Sequence, residues 1–344
     1  MTTPWERFAA VARHGQANQI PVALIVDSPW LPGYASIDTL DYFLRDDEWL
    51  RINLALLDRF PDVAWLPGFW VEYGMAIEPS AFGGRIHWEH DQPPSIAPAP
   101  GGLAALADAE PADPRTDGLM PFVLQRYVNA EKRLVLEGID IKMVAARGPL
   151  AVGGWLVGIT DLMLAFKEDP PVAHRFLDLL TTTIISWLRA QLDVLRAPEG
   201  ILVLDDIVGM ISPAMFEEFV RPYLSRIFAA FDGMIKVYHN DTPCLHLLGA
   251  MSTLGFDVFN FSHRTDIAKV QAEMPNIVLM GNVPPLDLMA RGTPEQVEAW
   301  ARECVQKTGG RNLILSAGGG MSPGAFPESV DALVRASKAI NAAF

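Results

Sequence analysis

The sequence predicts an α/β chain folded as a (β/α)8 barrel of the TIM type. Eight apolar runs have the length and composition of buried parallel strands, and amphipathic helical stretches lie between most of them. A doubly wound open sheet is the competing arrangement. No glycine-rich dinucleotide fingerprint follows the first run, which weighs against it.

In chain order the predicted strands are Ile20–Val26, Asp62–Leu66, Ile141–Ala146, Gly200–Leu204, Met234–Tyr238, Phe256–Phe261, Asn276–Met280 and Asn312–Ser316. The helical stretches include Asp161–Phe166, Pro171–Val194, Pro213–Phe231, Pro294–Thr308 and Pro327–Ala342. Proline recurs near their starts, where its fixed φ and missing donor cost nothing. The rhythm breaks once, over about 83–118, which is rich in Pro, Gly, Asp and Ala. Arg85-Ile86-His87-Trp88-Glu89-His90 reads there as a short hairpin strand. The stretch is expected to be an excursion between the second and third barrel strands of one domain spanning 1–344.

Composition narrows the function classes. Half of the 344 residues are hydrophobic, including 17 Phe, 9 Trp and 13 Met, enough for a large core. A formal charge of −14 argues against attraction to a nucleic-acid backbone or an anionic membrane, while leaving room for a local basic site. Two cysteines, Cys244 and Cys304, imply no disulfide framework. The first residues lack a signal-peptide pattern, and no uncharged apolar stretch reaches the roughly 18 residues of a membrane helix. A cytoplasmic enzyme for a small molecule is the expectation.

The chemistry concentrates at strand ends, where barrels place their sites. His239, Asn240 and Asp241 follow the strand Met234–Tyr238. His239 suits a metal or a proton transfer, and Asp241 either shares that task or caps the helix expected to start there. Cys244 and His246 extend the possible ligand set, although a buried thiol and a satisfied imidazole inside a helix are commoner. Asp205 and Asp206 end another strand. Adjacent carboxylates repel, so one should meet a cation or a donor, bind substrate, or hold His239. Arg147 is placed to pair with one of these acids, or with a substrate carboxylate or phosphate. Gly318, Gly319 and Gly320 permit close backbone approach by a ligand. Asp27, Trp30 and Glu72 are further candidates for the cavity wall, Trp30 equally for packing and Glu72 equally for a backbone donor.

These segments together resemble the uroporphyrinogen decarboxylase superfamily, and within it the corrinoid-linked methyltransferase branch. The resemblance runs from about residue 15 to 340 through Gly148-Pro149-Leu150, Leu156-Val157-Gly158, Asp161-Leu162-Met163, Asp169-Pro170, Asp205 to Pro213, Arg221-Pro222-Tyr223-Leu224, His239-Asn240-Asp241, Gly281-Asn282-Val283, Gly292 to Val297 and the glycine run. It implies the barrel, a site at the strand C-terminal ends with Asn282 beside the substrate, and methyl transfer between a small methylated molecule and a corrinoid on a partner protein. The decarboxylases carry an arginine-rich turn after the first strand, whereas Ile25 to Tyr34 here has no arginine and contains Asp27. An acid there would repel a polycarboxylate. The methyltransferase branch holds zinc with His-x-Cys and a later Cys, but here those cysteine positions are Asp241 and about Gly319. Either His239 and Asp241 hold a harder divalent metal, helped by Cys244, Asp205 or Glu72, or that metal has no counterpart. The first reading is favoured. A decarboxylase or lyase acting on a small non-porphyrin substrate is the alternative, with uroporphyrinogen decarboxylase proper ranked behind it, and a non-catalytic ligand-binding barrel is a third.

Overall fold

The computed structural model describes residues 2–15, 19–26 and 28–342. Ten strands occur in order: β1 (Val22–Ile25), β2 (Val63–Leu66), β3 (Arg85–His87), β4 (Ser95–Ala97), β5 (Met143–Arg147), β6 (Gly200–Leu204), β7 (Ile235–Asn240), β8 (Val258–Phe261), β9 (Val278–Met280) and β10 (Leu313–Ile314). All eight runs read as strands from sequence are strands. β5 to β10 form one parallel sheet in sequential order, and β1 pairs in parallel with β2. Bridges from Val22 to Leu315 and from Ile25 to Gly320 join β1 to the end of the larger sheet. The barrel therefore runs β2-β1-β10-β9-β8-β7-β6-β5. No backbone pairing links β2 to β5 among the described residues. Side chains bridge that seam instead: the Arg147 guanidinium lies 5.2 Å from the centre of the Trp70 ring, and the Tyr127 hydroxyl accepts the Val71 N–H.

Strand alternation sorts each run into two cores. Ala23, Ile25, Leu66, Met143, Ala145, Leu202, Leu204, Ile235, Val237, Val258 and Met280 point into the barrel. Val22, Leu24, Val144, Ile201, Val203, Tyr238 and Phe259 point outward to the helices. Phe8 and Val11 of the helix Pro4–His14 join the interior set and close its N-terminal end. A Thr3–Glu6 capping box starts that helix and Gly15, at φ 66°, ends it.

The helix expected over Pro213–Phe231 is two, Pro213–Phe219 and Arg221–Ala229, broken at Val220. Pro222 supplies the reason, since it removes a donor and disfavours helical geometry just before it. The excursion contains the antiparallel hairpin β3–β4 and folds back on the barrel, where the Ala99 N–H donates to the Leu156 carbonyl at 2.8 Å. Among the described residues no single helix is long and apolar enough to cross a membrane. The consecutive helices Pro149–Val157 and Ile159–Glu168 pass that test only together, across a 106° bend.

Candidate functional site at the C-terminal end of the barrel

A cavity of about 460 Å³ opens at the strand C-terminal ends. Its wall includes Glu72, Arg147, Asp206, His239, Asp241 and Gly320, together with Pro93, Pro94 and Ser95 of the excursion.

His239 is the last inward side chain of β7, in phase with Ile235 and Val237, and is 4 % exposed. The β7–β8 register sets it beside Asn260, and its Nδ1 lies 2.7 Å from Asn260 Oδ1. Asn260 Nδ2 donates to the carbonyls of Met280 and Ala317, so its Oδ1 is the end left to accept. The imidazole therefore carries a proton on Nδ1 and turns Nε2 to the cavity. Nε2 is 3.4 Å from Asp206 Oδ1. Ligand atoms of Asp206, His239 and Asp241 all lie within 4.8 Å of one another. A lone pair facing two carboxylates calls for a cation between them, either a proton or a metal. Asp206 Oδ1 also accepts the Asp241 N–H at 3.0 Å, which ties the two loops together. Desolvation and the Asp206 charge raise the Asp241 carboxyl above its ordinary range, against the pull of His239.

The two adjacent aspartates separate. Asp206 enters the cavity, whereas Asp205 is fully buried and turned to the helix Pro149–Val157. Asp205 Oδ2 and Oδ1 accept the N–H groups of Leu150 and Ala151, at 3.0 and 2.8 Å. Burial pushes its carboxyl up to about 8, the Asp206 charge adds to that, and the two N–H groups oppose it. A Cβ at residue 148 would strike the Asp205 carboxylate, hence Gly148. The Asp205 side chain thus anchors a helix N-terminus and does not border the cavity.

The structure decides among the readings left open for several candidates and corrects others. Cys244 is 1 % exposed in the outer core, where burial pushes its thiol up to about 12, and it stands outside the Asp206–His239–Asp241 cluster. His246 is engaged with the Ile211 carbonyl at 2.8 Å. No helix starts at Asp241: the next turn begins at Leu245, and Asn240 Oδ1 accepts the Thr242 N–H. Asn240 follows the inward His239, so alternation turns it outward and away from the cavity. Asn282 is likewise buried outside the cavity, donating to the Ser262 and Thr265 carbonyls. Trp30 packs on Trp65 and donates to the Ala325 carbonyl at 2.9 Å. Asp27 lies outside the described residues. Glu72 borders the cavity, yet its carboxylate accepts the Ser28 and Gly74 N–H groups and pins two loops.

Gly318 packs on the His263 backbone, and Gly320 borders the cavity. A Cβ at Gly319 would sit 3.3 Å from Asp241 Oδ2, so a side chain there would meet the cluster. Asn260 is the residue that sequence reasoning passed over. Its signal was present: a polar residue in an apolar strand, in phase with inward Val258.

A family model described as uroporphyrinogen decarboxylase (URO-D) matches residues 3–340. A uroporphyrinogen decarboxylase of Synechococcus sp. (strain CC9605) is 33 % identical over 185 residues, 52 % of this chain and 50 % of that protein. The chain thus spans about half the length of such curated relatives. A methylated-thiol–coenzyme M methyltransferase of Methanosarcina mazei is 28 % identical over 274 residues, 78 % of this chain and 71 % of that protein. In fold, a solved methyltransferase from Methanosarcina mazei superposes with a TM-score of 0.85 at 20 % identity, over 99 % of both chains. The chain belongs to the uroporphyrinogen decarboxylase family.

Proposed function

We propose that this chain is a methyltransferase that moves a methyl group between a small methylated substrate and a corrinoid carried by a partner protein. The observation that carries the site is the Asp206–His239–Asp241 cluster at the cavity wall, with His239 Nε2 aimed into it. The similarity to a methanogen methyltransferase over most of the chain supports the reaction class, and the corrinoid rests on the resemblance to that branch.

The donor set fits a divalent cation but not a thiolate-held zinc. One imidazole and two carboxylates converge, Cys244 Sγ is locked in the core, and glycine stands at 319. When bound, such a cation would act as a Lewis acid on the substrate heteroatom that gains or loses the methyl group. The protein's own contribution is positioning. Asn260 fixes the His239 tautomer and ring plane, Asp206 ties the β6 and β7 loops, Glu72 holds the β1 and β2 loops, and Pro93 and Pro94 line the cavity. A purely ligand-binding barrel would leave no use for an Nε2 facing two carboxylates.

The test combines metal content with methyl transfer. Purified protein should bind about one divalent ion per chain, and His239→Ala should lose it with unchanged circular dichroism. With methylcobalamin and a panel of small thiol, amine and carboxylate acceptors, the methyl–cobalt absorbance should decay. That decay should be roughly 10²–10⁴-fold slower in His239→Ala. An unchanged spectrum in the wild type across the panel, or wild-type rates in the variant, overturns the proposal. Carbon dioxide release from small carboxylic acids would move the assignment to a lyase.

A further inference from the structure

Arg147 is the charged group in the cavity that the chemistry above does not use. It is the last inward residue of β5, after Met143 and Ala145, and is 8 % exposed. Its guanidinium lies 5.2 Å from the centre of the Trp70 ring. Among the described residues that guanidinium makes no hydrogen bond and no ion pair. The buried Glu78 feels the Arg147 charge but makes no ion pair with the guanidinium: its carboxylate accepts the Arg147 backbone N–H at 2.9 Å, and burial raises its pKa against the pull of that N–H and that charge. Glu72, Asp206 and Asp241 share the cavity without pairing with it.

The other buried arginine shows what a structural role looks like. Arg126, 5 % exposed, donates to the Phe43 and Tyr42 carbonyls at 2.7 and 3.1 Å and pairs with Asp46 at 3.0 Å. Burying a guanidinium without such partners is costly, and one aromatic face offsets only part of that cost. Arg147 has the aromatic face and an open cavity in place of the partners. Its planar fork of donors matches the oxygens of a carboxylate, sulfonate or phosphate.

We propose that the substrate carries an oxyanion docked on Arg147, so that its other end lies at the Asp206–His239–Asp241 cluster. This builds on the site reading above, and specifies a short anionic molecule with a second heteroatom. Of the cavity's acids, Asp206 and Asp241 follow β6 and β7, and Glu72 is taken up by the Ser28 and Gly74 N–H groups, so Arg147 on β5 is the place where an anion is accepted.

The test reads binding rather than turnover. Trp70 lies under the guanidinium and Trp155 borders the cavity, so intrinsic tryptophan fluorescence reports occupancy. Titrations with acetate, methanesulfonate and inorganic phosphate should each be compared in wild type, Arg147→Met and Arg147→Lys. The expected result is a saturable response in the wild type to at least one probe. That response should weaken by about 10- to 100-fold in Arg147→Met and by less in Arg147→Lys, which keeps the charge but not the fork. The strongest of the three probes names the oxyanion. A wild type with no saturable response, or equal affinity in Arg147→Met, overturns the inference. Circular dichroism separates lost binding from lost folding, with Arg147→Lys as the milder substitution. Anion binding without methyl transfer would remove the reaction assigned above and leave this inference standing; methyl transfer that is indifferent to residue 147 would do the reverse.

Discussion

The two ends of one barrel interior are built to opposite rules. At the N-terminal end Phe8 and Val11 plug a floor of Ile235, Val258 and Val278, all of them buried and apolar. At the C-terminal end β5, β7 and β8 finish inward on Arg147, His239 and Asn260, with Asp206 and Asp241 just beyond. A strand such as β7 serves both ends with a single register: Ile235 and Val237 face the plug, and His239 faces the cavity. Stability and chemistry are thus separated along the strand axis by some two residues. The closed end is a packing problem. The open end is a problem of orienting polar groups that water would otherwise solvate.

That contrast can be broken most severely at the plug. Phe8→Ala should cost about 3–5 kcal/mol in chemical denaturation, while the ion affinity of the folded protein stays near wild type. A large loss of ion binding in the folded variant would show that the ends are coupled. Asn260→Ala attacks the open end. Releasing the His239 ring should lower divalent-ion affinity by roughly 10–100-fold in calorimetric titration. Unchanged affinity would mean that the loops, not Asn260, orient His239.

The smallest effect concerns Glu78, buried behind Arg147. Its folded-state pKa is raised above the unfolded value by burial. Between the two values the folded state binds the extra proton, so stability falls as pH rises through that window, starting near 4.5. Glu78→Gln removes this titration, so the melting temperature of the variant should gain on the wild type as pH increases. A gap that is constant with pH would show that Glu78 does not titrate on unfolding.

The barrel was legible because each strand is a run of inward and outward apolar residues, and the helices announce themselves with proline. His239, Asp206 and Asp241 were legible as polar residues at strand ends. Their separation from Asp205, Asn240 and Asn282 was not. Asp205 and Asp206 are neighbours in sequence, yet a 3-10 turn starting at Asp206 sends one carboxylate to the Leu150 and Ala151 N–H groups and the other to His239. Cys244 suggested a ligand by spacing alone, and only its place in the outer core removes it. The helix expected at Asp241 was lost because the Asn240 side chain takes the Thr242 N–H and makes a turn.

Composition and periodicity alone determined the fold class, the strand order along the chain, and the end of the barrel at which chemistry would gather. These follow from local hydrophobic spacing, which every residue carries in its own neighbourhood. Tertiary structure decided which polar groups meet. The pairing of His239 with Asn260 depends on the register between two strands, and the seating of Arg147 depends on Trp70 meeting it across the seam. Distances between segments far apart in sequence are set by closure of the whole barrel, so no local pattern records them.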